Sequence, residues 1–203
     1  MTNKSNTPLL LLVFLFLALI YPLGTANAAG NVNVLFGFKL LDKDDWDPLQ
    51  EQSEGGILVD FKSENWPLSI AVDFLGSVSP TEVDTVTVPG TGQVHGDWTG
   101  DTDEFNIGVR KYWGSHSVMR PFLGGGLSLI SAQLEGKTGR FDYVRDTDYG
   151  VGLWINGGVS WALLKHLNIG FDFRLSGAEV TLFDQKYKAG GFHAGFLLGY
   201  HWD

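Results

Sequence analysis

Residues 167–175 read LNIGFDFRL, and the alternation in them constrains the whole chain. Leu167, Ile169, Phe171, Phe173 and Leu175 fall on one face of an extended strand, while Asn168, Gly170, Asp172 and Arg174 fall on the other. The same pattern recurs about eight times. No residue on the apolar faces is charged, apart from Lys111 close to one strand end. A sandwich would turn such faces towards a core. A complete ring of strands with one uncharged face and one polar face instead predicts a closed barrel in a bilayer, apolar side outward. After residue 28, no stretch reaches the 18 consecutive apolar residues of a helical span. An open sheet edge cannot lie in hydrocarbon, so closure is required.

The start of the chain points to export. Lys4 precedes a 12-residue apolar run, 9–20, then Pro22, Gly24 and the small-x-small series Ala26-Asn27-Ala28. The run is too short for a span of roughly 20 residues. Residues 1–28 are expected to be a signal peptide and residues 29–203 one barrel domain. The chain has no cysteine, which excludes a disulfide-built secreted scaffold. Removing the leader takes Lys4 and no acid from the formal −9, leaving −10. That balance argues against nucleic acid as a partner.

Eight strands are expected at 31–41, 55–62, 68–77, 103–113, 120–133, 148–163, 167–176 and 189–202. The connections alternate long and short, with long loops at 42–52, 78–101, 134–147 and 177–188. This fits an all-β, antiparallel up-and-down meander with periplasmic termini, short periplasmic turns and long extracellular loops. The lipid-facing set includes Phe36, Phe38, Val72, Ile107, Leu127, Leu153, Ile169, Phe171, Phe173 and Phe196. Trp66, Trp113, Trp161, Tyr200 and Trp202 cluster at the short-turn end, where a bilayer interface favours aromatic rings with a polar handle.

The inward phase collects Lys39, Asp60, Lys62, Asp73, Glu104, Arg110, Asp172 and Arg174. An eight-stranded barrel is just wide enough for its side chains to fill it, and buried charges must be paired. These residues are expected to form a lumen charge network. Several inward glycines leave room and Trp154 removes some, so a packed plug and a narrow polar path both remain open.

The segments FNIGVRKYWG (105–114), RPFLGGGLSL (120–129), LNIGFDFRLSGAEV (167–180) and GFHAGFLLGYHW (191–202) resemble the small outer-membrane β-barrels of Gram-negative bacteria, the OmpA/OmpX/OmpW-like group. The resemblance covers essentially the whole chain after residue 28. It implies the cell envelope, with outer-membrane lipids, lipopolysaccharide and the barrel-assembly machinery as partners. Members commonly end on an aromatic residue; here Asp203 follows Trp202.

The first loop, Asp42-Lys43-Asp44-Asp45-Trp46-Asp47, invites a Ca²⁺ reading, because carboxylate oxygens suit that ion. It lacks the EF-hand glycine, and its twelfth position is Ser53 rather than Glu, so a solvated acidic loop is expected and no metal is assigned. An enzyme of the outer leaflet, such as a lipid A-modifying one, would need a nucleophile and a base at the outer rim. His116 and Ser117 lie in a periplasmic turn. His95, Asp97 and Thr91 share the second loop without a recognisable motif, and His193 is expected to be a satisfied interior histidine. Phosphate-binding glycine loops and zinc spacings are missing from the sequence. The expectation is a non-enzymatic barrel without cofactor, having a structural or surface-interaction role and outer loops that meet an extracellular ligand. A narrow, porin-like pore for small solutes or ions is the alternative.

Overall fold

The structure, a computed structural model, describes residues 28–63, 65–79, 83–88, 92–114, 117–138 and 142–202. The chain forms β1 (Ala28–Leu41), α1 (Lys43–Trp46), β2 (Glu51–Ser63), β3 (Ser69–Val78), β4 (Val83–Val88) and β5 (Gly92–Tyr112). It continues with β6 (Met119–Thr138), β7 (Asp142–Ala162), β8 (Leu167–Gly177), β9 (Glu179–Leu182), β10 (Gln185–Lys188) and β11 (Gly191–Trp202). Eight of these strands make a closed antiparallel ring in the order β1, β2, β3, β5, β6, β7, β8, β11. Closure runs from Gly30 opposite Trp202 to Leu41 opposite Gly191. The expected leader lies outside the described residues, except that Ala28 is the first residue of β1.

The phase of each strand follows its sequence. Val34, Phe36, Phe38 and Leu40 are exposed on β1, and Asn33, Leu35, Lys39 and Leu41 are buried. The outer surface is an apolar belt in which Phe36 is 60% and Leu153 67% exposed. On β7 the belt runs from Val151 to Trp161, about 34 Å of strand at ~3.4 Å per residue. At a tilt of about 40° that spans on the order of 26 Å, the height of the apolar band of a transmembrane barrel. Lys111 is the single charge in the belt among the described residues, and its ammonium lies 5.5 Å from the centre of the Trp113 ring near the periplasmic end. Trp66, Trp113 and Tyr200 are exposed along that end; Trp161 and Trp202 are half-buried.

Three expected loops are corrected. Residues 78–101 contain β4 and the first part of β5, which pair as a hairpin. Residues 134–147 are mostly strand, because β6 and β7 stay paired up to Thr138 opposite Asp142. Residues 177–188 form the β9–β10 hairpin, whose two-residue tip, Phe183 and Asp184, has φ of 49° and 60°. The physical reason is common to the first two, while in the third the Phe183-Asp184 tip turns the chain and Asp146 and Asp148 hold the hairpin by accepting its Phe183 and Thr181 N–H groups. Strands β5 to β7 leave the bilayer and continue into water, so their outward positions become polar while the ladder persists. Asp103, Asp101, Gln133, Arg145 and Thr147 occupy such positions. Gln133 donates to Asp101, and Arg145 donates to Gln133 across the ladder.

Candidate functional site

Inside the ring, side chains converge from every strand. In the first charge network Arg110 donates to Asp60 at 3.3 Å and to Asp73 at 2.7 Å. Arg174 donates to the same Oδ2 of Asp73 and lies 3.8 Å from Asp172. Both guanidinium groups face the Trp154 indole, at 5.9 and 4.8 Å from its ring centre. Asn31 and Tyr112 donate to Asp60 at 2.8 Å each, and Asn156 donates to Asp172. Arg110, Arg174, Asp60, Asp73 and Asp172 are each at most 1% exposed.

The second network lies nearer the extracellular end. Lys39 donates to Glu104 and Thr102 at 2.8 Å and to the Ala189 carbonyl at 2.9 Å. Gln52, the cross-strand neighbour of Lys39, forms a further hydrogen-bonded group with Ser77 and Thr102. His193 Nδ1 is 2.6 Å from Glu54 Oε1, and its Nε2 is 2.9 Å from Ser176 Oγ and 3.5 Å from Glu104 Oε1. Ser176 Oγ is also 2.9 Å from Glu104 Oε1 and accepts the Gly191 N–H at 3.3 Å.

Seven of the eight lumen charges named from the sequence are thus buried in one of the two networks. Lys62 departs from the expectation. It sits near the end of β2, half-buried at the periplasmic mouth, and makes no ion pair among the described residues. The lumen also holds an apolar layer of Leu35, Leu58, Leu75, Phe122 and Leu197. Sequence reasoning missed this layer because β1 to β3 and β11 carry apolar residues on both faces there, as Ile57 and Val59 flank Leu58 and Phe74 precedes Leu75. It also missed Tyr112, Asn156, Glu54 and Ser176. Their inward parity on strands already placed was the available signal.

The extracellular mouth is closed by an apolar cap. Trp46 and Leu49 from the first connection pack with Trp98, Ile130, Leu134, Leu182 and Tyr187. Gly100 and Gly136 make the space, since a Cβ on Gly100 would stand 3.2 Å from the Trp46 ring and one on Gly136 2.5 Å from the Trp98 ring. The expected solvated acidic loop is therefore corrected: it is a docked plug. Asp42 caps α1 by accepting the Asp44 N–H, and Trp46 is 2% exposed. Trp46 Nε1 donates to the Lys188 carbonyl at 2.9 Å, Asp45 accepts the Lys188 N–H at 2.8 Å, and Asp42 pairs with Lys188 Nζ at 2.7 Å.

Those contacts set the ionisation of the cap. The Lys188 hydrogen bond and the Asp44 N–H hold the Asp42 carboxyl below its ordinary value, and Asp42 in turn raises Lys188. Burial, with Asp45 nearby, pushes the Tyr187 phenol up to about 12. The hairpin is fixed from the other side: Asp146 accepts the Phe183 N–H and Asp148 the Thr181 N–H, each at 2.6 Å. Phe183 lies against Trp98, with ring centres 6.3 Å apart. Thr91 and His116 lie outside the described residues, and no group of three potential metal-ligating side chains occurs among the described ones.

No family model and no curated protein matches the chain. Among solved structures it is similar to the outer membrane protein OprG from Pseudomonas aeruginosa, with 13% identity and a TM-score of 0.56 over 88% of this chain and 98% of that one. It is similar to Ail, the attachment invasion locus protein of Yersinia pestis, solved with the heparin analogue sucrose octasulfate. That match has 8% identity and a TM-score of 0.55 over 86% of this chain and 99% of that one. Neisserial surface protein A matches at 14% identity and a TM-score of 0.52 over 86% and 94%. At these identities the likeness is one of architecture: the chain has the fold of the small eight-stranded outer-membrane β-barrels.

Proposed function

We propose that the chain is a closed barrel of a bacterial outer membrane that acts through its outer surface rather than through its lumen. One observation carries this reading: the lumen is filled, and its mouth is stoppered by Trp46 held on the Lys188 carbonyl. Solute passage would require unseating that cap and parting the pairs that join Asp73 to two arginines. The belt supplies the lipid contact, and the barrel-assembly machinery and lipopolysaccharide are the partners such a barrel meets.

The outer surface favours a particular ligand class. At this end Asp42, Asp44, Asp45, Asp47, Asp97, Asp101, Asp103, Asp148, Glu179 and Asp184 outnumber Lys43, Lys137, Arg145, Lys186 and Lys188, so a heparin-like polyanion of the kind solved with Ail is disfavoured. A cationic partner, or a phosphate-rich surface bridged by divalent cations, fits better.

Single-channel recording of residues 29–203, refolded into a planar bilayer, tests the closed lumen. The expected result is silence from protein whose unboiled form shifts on an SDS gel. Steady, reproducible openings from that material would overturn the reading in favour of a narrow pore.

A further inference from the structure

At the upper edge of the lipid belt, the wall made by β2, β3, β5, β6 and β7 is ordered in cross-strand rows. The last apolar row is Ile57, Phe74, Phe105, Leu129 and Val151. The next row out is Gly55, Gly76, Asp103, Ser131 and Tyr149. Two glycines and a serine sink this row below the aromatic pair Phe74 and Phe105, whose ring centres are 4.9 Å apart. A Cβ on Gly55 would meet only the Leu35 carbonyl, at 3.9 Å, and one on Gly76 only Asp103 Oδ1, at 3.1 Å. The recess is a surface groove of about 550 Å³, with Ile57, Phe74, Phe105 and Leu129 on its membrane side and Asp103, Ser131 and Tyr149 on its outer side.

The charge of this groove lacks a partner. Asp101 lies two residues beyond Asp103 on the same outward face. On this wall Lys137 stands opposite Asp97 and Arg145 opposite Glu135, while Lys39, behind the wall, is bonded to Glu104. Asp103 makes no hydrogen bond or ion pair among the described residues. One oxygen of Asp101 is 3.5 Å from Gln133 Nε2, the other has no partner, and Arg145 acts on the group only through space. Partial burial against the wall raises both carboxyls above their ordinary value, and Glu135 and Asp103 add to the rise at Asp101. Two like charges on one strand face beside an apolar groove favour a cation seated against them. A phosphate-bearing lipid of the leaflet would bring further negative charge to the same spot.

We propose that this groove binds a cationic amphiphile from the outer medium, an ammonium head on a single apolar chain. The proposal rests on the membrane placement and outer-surface role given above, and it names the class of the cationic partner. The ammonium sits against Asp103 and Asp101, where each N–H meets a charged acceptor. The chain turns down through the space left by Gly76 and lies over Phe74 and Phe105 into the belt, so that one groove serves both ends of the ligand. The Ser131 hydroxyl accepts a further N–H from the head, and Tyr149 bounds the groove two strands from Asp103. The carboxylates come from β5, the glycines from β2 and β3 and the tyrosine from β7, so register and not local sequence assembles the site.

The test uses refolded residues 29–203 in phosphatidylcholine vesicles, with folding read by the gel shift. The probe is dodecylammonium carrying a diazirine in its chain; matched probes carry a sulfate or a phosphoethanolamine head. On irradiation the ammonium probe is expected to label the peptides holding Phe74 and Phe105 in preference to the rest of the belt, and the other two probes are not. That labelling is expected to fall about 10-fold in folded Asp101→Asn/Asp103→Asn and to weaken with added salt. It is also expected to be lost in Gly76→Val, which keeps both carboxylates and fills the space beside them. Equal labelling by the sulfate probe, or unchanged labelling of the folded double variant, overturns the proposal. Equal labelling by the phosphoethanolamine probe overturns it in favour of a leaflet lipid. The single-channel recording reads the lumen and the labelling reads the outer wall, so failure of this site and failure of the closed-lumen reading are seen separately.

Discussion

Trp46 donates its indole N–H to the carbonyl of Lys188, joining two connections 142 residues apart in sequence. The bond seals the extracellular mouth, because the same indole packs against Tyr187, with ring centres 5.6 Å apart. Trp46→Ala removes both and leaves a void over Gly100. A buried tryptophan truncated in this way costs about 3–5 kcal/mol where it sits in a core. Here the loss is expected to fall on the cap and not on the ring, whose ladder does not include residue 46. Trypsin is therefore expected to cut after Lys43 in the variant and to spare the wild type, while both still shift on an unboiled gel.

The arginines of the lumen are expected to matter far more than charges of similar sequence context outside it. Arg174→Ala breaks two buried ion pairs and leaves Asp172 with only its Asn156 contact among the described partners. Removing one partner of a buried pair costs about 3–5 kcal/mol. Lys43→Ala at the surface, and Lys62→Ala at the periplasmic mouth, are expected to stay within about 0.5 kcal/mol. Urea unfolding in lipid vesicles compares the three. Equal effects would mean that the lumen network does not carry the barrel's stability.

How far the sequence discloses this molecule depends on which side of the bilayer boundary a residue stands. Within the belt, hydrocarbon enforces a period of two, and residues such as Phe171 and Asp172 declare their faces without ambiguity. Above the belt, water accepts either character. The outward Gln133 and Arg145 therefore look like loop residues, although Leu134 and Gly136 keep the inward phase of β6. Trp46 and Leu49 sit among acids, and the cap they share with Trp98, Ile130, Leu134 and the docked β9–β10 hairpin explains two apolar residues there. Ser176, His193 and Glu54 lie on three separate strands. Their parity was legible, but their meeting depends on ring closure and on register.

The cap is also expected to respond to pH in a defined window. Asp42 is held below its ordinary value of 3.8, so its contribution is present above that value and lost as pH falls through the lowered one. Lys188 is raised above 10.5, so its contribution is present below that value and lost as pH rises through the raised one. Both windows leave the pair intact across the neutral range. Protection of Lys43 from proteolysis, read with proteases active at each pH, is expected to be flat through neutrality and to weaken only in strong acid or strong base. Asp42→Asn is expected to weaken it across the neutral range, where the pair is charged in the wild type. A transition near neutral pH in the wild type would show that some other group controls the cap.

The lipid belt makes a prediction that depends on height as well as face. Phe171 lies at mid-belt, 47% exposed, edge-on to Trp161 at 6.1 Å and to Phe196 at 5.8 Å. Thr99 shares the outward face but sits on β5 above the last apolar position, Phe105, among Asp97, Asp101 and Asp103. An arginine on the lipid face costs about 2–4 kcal/mol at the midplane and roughly 0–1 near an interface. Phe171→Arg also removes two aromatic contacts that bind β7, β8 and β11 to one another. It is therefore expected to block assembly or to lower stability by at least that amount, whereas Thr99→Arg is expected to assemble normally beside its acidic neighbours. The folded fraction of each, read from the gel shift after insertion into vesicles, decides the matter. If Phe171→Arg folds as well as Thr99→Arg, the surface around Phe171 does not face lipid, and the boundary drawn at Phe105 is not the edge of the bilayer.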